Sequence, residues 1–177
     1  MSADLADPIE FLRGPSWRGR VALAPLTNMQ SHDDGSLGDD EVAFLARRTQ
    51  GGLAQGGFAL GGFALVVTCA AHVTTNGQAF RGQSGAWSDP RVPGLTRLAT
   101  AIRADDSASA VQLQHTRDRA DRALTGGDLL SASANPKRGS RTMTTGELER
   151  TIQDFVDTAV LCEKAGFDGV ELHGAHG

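Results

Sequence analysis

The run of apolar and polar segments along this chain predicts a parallel α/β barrel, of which the sequence supplies about half. Three observations carry that reading. Short apolar runs of strand length alternate with segments of helical period, and no hairpin signal joins one strand to the next, which is the pattern of a parallel sheet covered by helices. The turn after the first strand reads Pro25-Leu-Thr-Asn28 and lacks the G-x-G-x-x-G that commonly opens a doubly wound sheet. About four strand–helix units occupy the 177 residues, against roughly 250 residues for a full eight-unit (β/α)8, or TIM, barrel.

The first element is Arg20-Val-Ala-Leu-Ala-Pro25, whose length and closing proline suit a buried strand. Residues 27–38 have the composition of a turn-rich loop. Asp39–Arg48 follows with Val42, Phe44, Leu45 and Ala46 in helical spacing, capped by Asp39 or Asp40. Three near-copies of five residues, GGLAQ, GGFAL and GGFAL, then run from 51 to 65; units this short build no supersecondary element and read as a tandem insertion. Phe63–Cys69, β-branched at its centre, is the second strand. Pro90–Ala104 is the second helix, with Asp89 ahead of the proline as a start signal, and Ser109–Leu113 is the third strand. Residues 114–142 are polar and rich in Gly, Asp, Arg and Ser, the mark of a functional excursion or of disorder. Thr144 or Thr145 opens the third helix, with Glu147 and Glu149 in its first turn, where acidic groups complement the dipole. Its apolar face comprises Leu148, Ile152, Phe155, Val156, Ala159, Val160 and Cys162, and it ends near Gly166. Phe167–Leu172 is the fourth strand, and His173-Gly-Ala-His-Gly177 follows it.

Composition narrows the partners. Hydrophobic residues make up 40% and charged residues 21%, enough apolar mass for one core in a single, incomplete barrel domain over residues 1–177. Seventeen basic against twenty-one acidic residues give a net charge of −4, so nothing favours nucleic acid or an anionic membrane surface. No apolar run reaches the ~18 residues of a membrane span, and the small, acidic Met1–Asp7 does not resemble a signal peptide. Cys69 and Cys162 sit far apart in apolar segments, which suits buried thiols in a reducing compartment, and a cytoplasmic location is expected.

In a barrel of this kind the chemistry gathers at the C-terminal ends of the strands. Those ends read Ala24-Pro-Leu-Thr27, Cys69-Ala-Ala-His72, Gln112-Leu-Gln-His115 and His173-Gly-Ala-His176. The first segment, the Gln-Leu-x-His segment, Leu124-Thr-Gly-Gly127 and the ending GVELHGAHG occur in an order that resembles the old yellow enzyme family of NADH:flavin oxidoreductases, and the resemblance runs from Arg20 to Gly177. It implies the N-terminal half of a TIM barrel truncated at its C-terminus, with FMN at the barrel mouth, NADH or NADPH as electron donor, and a small activated alkene or similar molecule as acceptor. On the matching positions, Ala24, Pro25, Leu26 and Thr27 would border the isoalloxazine ring, Ala70 would let it approach, and Gln112 would meet its pyrimidine edge. His173 and His176 would be the catalytic pair, donating hydrogen bonds to the substrate oxygen. Two departures stand out. Thr116-Arg-Asp-Arg119 replaces the glycines that usually follow the motif histidine, and tyrosine, which the family uses as a proton donor directly after the final motif, is absent.

Other readings stay open on the residues alone. His173 and His176, joined by His115 or His72, would suit zinc, although no Cys-x-x-Cys or His-Glu-x-x-His spacing supports a metal and none is expected. An aldolase or decarboxylase barrel would want a lysine at a strand end, whereas Lys137 and Lys164, the only lysines, lie elsewhere. The tandem repeat and the abrupt ending also suit a non-enzymatic remnant. In each case a half barrel leaves unpaired strand edges, through which self-association is expected.

Overall fold

The computed structural model describes residues 4–50, 62–116 and 118–175. Most of the tandem repeat, residues 51–61, lies outside the described residues, as do Arg117, His176 and Gly177.

The core is a five-stranded, wholly parallel sheet built from β1 (Ala22–Leu23), β2 (Leu65–Val67), β3 (Ala71–His72), β4 (Ala108–Gln114) and β7 (Gly169–Leu172). β1 pairs with β2, and β2 pairs with the start of β4. β3 pairs with the end of β4 on the same edge, so β2 and β3 form one strand position broken by a bend. β7 takes the other edge of β4, with Ala110 opposite Gly169 and Leu113 opposite Leu172. The order across the sheet therefore follows the order along the chain, which is how a parallel barrel is wound.

Three long helices cover the outside: α1 (Asp39–Thr49), α2 (Val92–Arg103) and α4 (Thr145–Ala165). Leu45 of α1, Leu95, Leu98, Ala99 and Ile102 of α2, and Cys162 and Ala165 of α4 pack on Val66, Val111, Leu113 and Phe167 to make the core. α4 is capped as its sequence indicates: the Thr144 hydroxyl accepts from the Glu147 N–H, and the Glu147 carboxylate accepts from the Thr144 N–H at 2.8 Å. It ends at Gly166 in the left-handed region, φ +96°, where a residue with a side chain is strained.

Several expectations are corrected. The first strand shrinks to two residues, and the second to three with the additional β3 after it, the two being divided by a bend at Thr68–Ala70. The cap of α1 is Gly38, which offers no side-chain acceptor; Asp39 and Asp40 lie in the first turn instead. A 3-10 turn, Asp89–Arg91, precedes the second helix. Residues 114–142 hold α3 (Arg122–Thr125) and a small parallel pair, β5 (Leu130–Ser131) and β6 (Arg141–Thr142). The apolar face of α4 splits in two. Phe155, Ala159 and Cys162 turn inward, while Leu148, Ile152, Val156 and Val160 form a stripe that is 41–65% exposed.

The N-terminal segment closes the opposite end of the sheet from the cleft described below. Ile9 and Trp17 exchange backbone hydrogen bonds of 2.9 Å in both directions, and Phe11 stacks edge-on against Trp17 at 4.9 Å. This hairpin lies under the N-terminal ends of β2, β4 and β7, enclosing a space of about 380 Å³ with Leu65, Val67, Ala108, Ala110 and Gly169.

Candidate active-site cleft at the strand ends

The inward-facing residues of the sheet alternate along each strand. On β4 they are Ala108, Ala110, Gln112 and Gln114, and on β7 they are Gly169 and Glu171, followed by His173. The upper members of these rows converge on a cleft of about 540 Å³ lined by Pro25, Thr27, Ala70, Ala79, Phe80, Gln112, Gln114, Thr116, Arg119 and His173. Of the residues anticipated from sequence, Pro25, Thr27, Ala70, Gln112 and His173 meet here. Ala24 and Leu26 are exposed on the same segment and do not line the cleft, as a two-residue alternation requires. His176 lies outside the described residues.

The cleft wall is fixed from behind by a polar frame. Gln83 is fully buried: its Oε1 accepts from the Ala79 N–H at 2.7 Å, and its Nε2 donates to the Ala70 carbonyl at 2.8 Å and to Gln114 Oε1 at 3.0 Å. One side chain thus ties the Ala79–Phe80 rim to the bend at Ala70 and to the end of β4. Gln112 donates through Nε2 to Glu171 Oε1 at 2.6 Å. Behind the Thr27 loop sits Glu41, 1% exposed, which accepts from the Ser31 hydroxyl and also faces Asn28 and Ser84. Burial, opposed by these hydrogen bonds, holds its carboxyl above the ordinary range.

The remaining candidate ligands do not converge. His72 packs on Trp87 at 4.5 Å between ring centroids and directs Nδ1 to the Thr74 carbonyl at 2.7 Å. Its burial pushes the imidazole pKa down to about 4, so the ring is neutral. A Cβ at Gly85 would lie 1.9 Å from the Trp87 ring, so only glycine admits this stack. His115 Nε2 meets the Thr74 hydroxyl at 3.1 Å. Among the described residues no three His, Cys, Asp or Glu side chains come together as a metal site. Lys164 pairs with Asp89 on the outer surface. Both cysteines are free and buried, and burial raises Cys69 to about 11 and Cys162 to about 12.

Sequence reasoning missed Gln114, Gln83, Glu171 and Arg119. The alternation Gln112-Leu-Gln114 was a legible signal for Gln114; Gln83 and Arg119 sit in segments without periodicity, and only the fold brings them to the cleft.

This cleft, at the C-terminal ends of parallel strands, is where barrel enzymes keep their chemistry. Residues 4–177 match the model of the NADH:flavin oxidoreductase / NADH oxidase family. The chain belongs to that family. It is 32% identical over 177 residues to a protein of Bacillus subtilis described as a probable NADH-dependent flavin oxidoreductase, covering 98% of this chain and 45% of that one. Against the NADPH dehydrogenase of Bacillus pumilus the identity is 33% over 171 residues, covering 94% and 47%. Against the NADH:acrylate oxidoreductase of Vibrio harveyi it is 32% over 181 residues, covering 98% and 17%. Morphinone reductase superposes with a TM-score of 0.83 at 22% identity, covering 98% of this chain and 50% of that structure. The old yellow enzyme homologue of Zymomonas mobilis also gives 0.83, at 23% identity, covering 97% and 48%. The fold is thus half of the old yellow enzyme barrel, and this family member spans about half the length of the Bacillus relatives and a smaller share of the Vibrio harveyi protein. No helix of the described residues is long and apolar enough to cross a membrane.

Proposed function

We propose that this family member forms the substrate-facing half of an FMN-dependent oxidoreductase that takes electrons from NADH or NADPH and reduces a small activated alkene. The observation that carries the proposal is the convergence of Pro25, Thr27, Ala70, Gln112 and His173 on one cleft. These residues suit a flavin ring. Ala70 is small enough to leave room for a flat heterocycle, Thr27 supplies a hydroxyl, and Gln112 supplies an amide able to pair with a pyrimidine-like edge.

Held by these residues, FMN would supply hydride chemistry between NADH or NADPH and the alkene β-carbon. The protein's share is electrostatic and positional. His173, at the mouth of the cleft, donates a hydrogen bond to the substrate carbonyl or nitro oxygen with His176 as the second donor, which draws charge from the double bond as the hydride arrives. The α-carbon would then take a proton from a solvent water, which completes the reduction. In barrels of this kind the phosphate is held after the seventh and eighth strands, so the four-strand unit alone should bind FMN weakly. It should turn over only when four further units complete the ring, whether from elsewhere in the protein or from a second copy.

Gel filtration of the chain mixed with FMN, followed by its absorbance spectrum, tests this reading. A perturbed yellow band that travels with the protein supports it; co-elution only in a dimer fraction supports closure by a second copy. A chain whose 1 mM mixture with FMN shows no spectral change would overturn the assignment of this cleft to flavin. In the flavin-loaded protein, His173→Ala is expected to lower alkene reduction by about 10²-fold while reduction of the flavin by NADH or NADPH is retained. Equal loss in both half-reactions would assign His173 to the flavin and not to the substrate.

A further inference from the structure

An amide side chain offers an acceptor on one branch and two donors on the other, and which branch faces a ligand is decided by its fixed partners. Two amides line this cleft, at inward positions two residues apart on β4, and their partners fix them in opposite senses. Gln112 lies directly across the sheet from Glu171, and its amide lies 2.6 Å from Glu171 Oε1. A carboxylate only accepts, so the Gln112 nitrogen must face Glu171 and its oxygen must turn away. That oxygen accepts from no described residue.

Gln114 is fixed by a longer chain of the same logic. The Ala79 N–H only donates, so the Gln83 oxygen meets it at 2.7 Å. The Gln83 nitrogen therefore faces the Ala70 carbonyl at 2.8 Å and, at 3.0 Å, the Gln114 oxygen. Among the described residues, nothing accepts from the Gln114 nitrogen. Both locks are secure against water on the Gln side, since Gln83 is fully buried and Gln112 and Gln114 are each 8% exposed.

We infer that Glu171 and Gln83 are positioning residues that polarise the two cleft amides, so that Gln112 presents a carbonyl acceptor and Gln114 an N–H donor. The inference rests on the flavin reading for its ligand: a carbonyl at Gln112 is the group that receives the imide N–H of a flavin pyrimidine ring, and it discriminates against rings whose imide nitrogen carries no hydrogen. Gln114 adds a donor for a second carbonyl or for an anionic group on whatever shares the cleft.

Two measurements separate the lock from its ligand. In the free chain labelled with 15N, the Gln112 side-chain amide, assigned by its loss in Gln112→Leu, should show one downfield, slowly exchanging proton. Glu171→Ala should return it to the position of a solvated glutamine. Titration with FMN and with its N3-methyl derivative should then show at least 10-fold weaker binding of the methylated flavin to the wild type, narrowing to about 3-fold or less in Glu171→Ala. Narrowing in Glu171→Ala that is restored by Glu171→Asp would assign the effect to the carboxylate. A Gln112 amide that is solvent-like in the wild type, or unchanged by Glu171→Ala, overturns the lock. Equal binding of both flavins to the wild type overturns the role given to Gln112. If neither flavin binds, the flavin reading of the cleft fails by itself, and the amide spectrum alone decides whether Glu171 holds Gln112.

Discussion

Two buried ionisable groups behind the cleft set opposite dependences of stability on pH. His72 is held neutral in the fold, with its pKa lowered to about 4 by burial from an ordinary value of 6.5. Between those values the unfolded chain binds the proton and the folded one does not, so stability falls as pH drops from 6.5 towards 4, by roughly 3 kcal/mol in all. An imidazole titration near 4 in the NMR spectrum checks this; a midpoint above 6 would contradict it. Glu41 acts the other way. Its carboxyl is raised from 4.5 by burial, so the folded state holds its proton longer and stability declines as pH rises from 4.5 through the folded pKa. Glu41→Gln keeps the shape and removes the ionisation. Its unfolding free energy relative to wild type should therefore increase with pH over that window in urea titrations. The thiols give a third expectation. With Cys69 and Cys162 buried and pushed up to about 11 and 12, neither should react with a maleimide at pH 8 until the chain unfolds.

At the scale of elements, the helices were legible because their signals are local. The capping box Thr144–Glu147 and the glycine at 166 lie within a few residues of the ends they set, and each is found in place. Thr144→Ala should cost about 1 kcal/mol in thermal or urea unfolding, since it removes the hydroxyl that accepts from the Glu147 N–H and donates to the Glu147 carboxylate. Strand lengths were less legible, because a bend such as that at Thr68–Ala70 is imposed by Gln83, Ala79 and β4 and not by the residues that bend. The division of α4 into a buried row and an exposed row was also beyond the sequence. Ile152 and Phe155 are equally apolar, and only the position of α2 decides which of them is covered. The same contrast holds in the cleft. Pro25, Thr27, Gln112 and His173 lie at strand ends and could be named, whereas Arg119 reaches the cleft, and Gln83 the frame behind it, from irregular segments.

For the whole molecule, α4 exposes the stripe Leu148, Ile152, Val156 and Val160, and β7 exposes Val170 and Leu172 at 39% and 66%. Surface of this kind, beside an unpaired strand edge, favours association. Sedimentation velocity of the chain alone should show concentration-dependent association that Ile152→Lys with Val156→Lys reduces without lowering the unfolding temperature. Association unaffected by the pair would place the contact elsewhere. Among the described residues the outer edge of β7 pairs with no strand, and this has a directional consequence. Its unpaired amides and carbonyls repeat the pattern that β4 offers to β7, so any strand laid against it inherits a heading and a stagger before its side chains are consulted. The edge is a ruled margin: it says where the next line starts and which way it is to be read, and leaves open only who writes it.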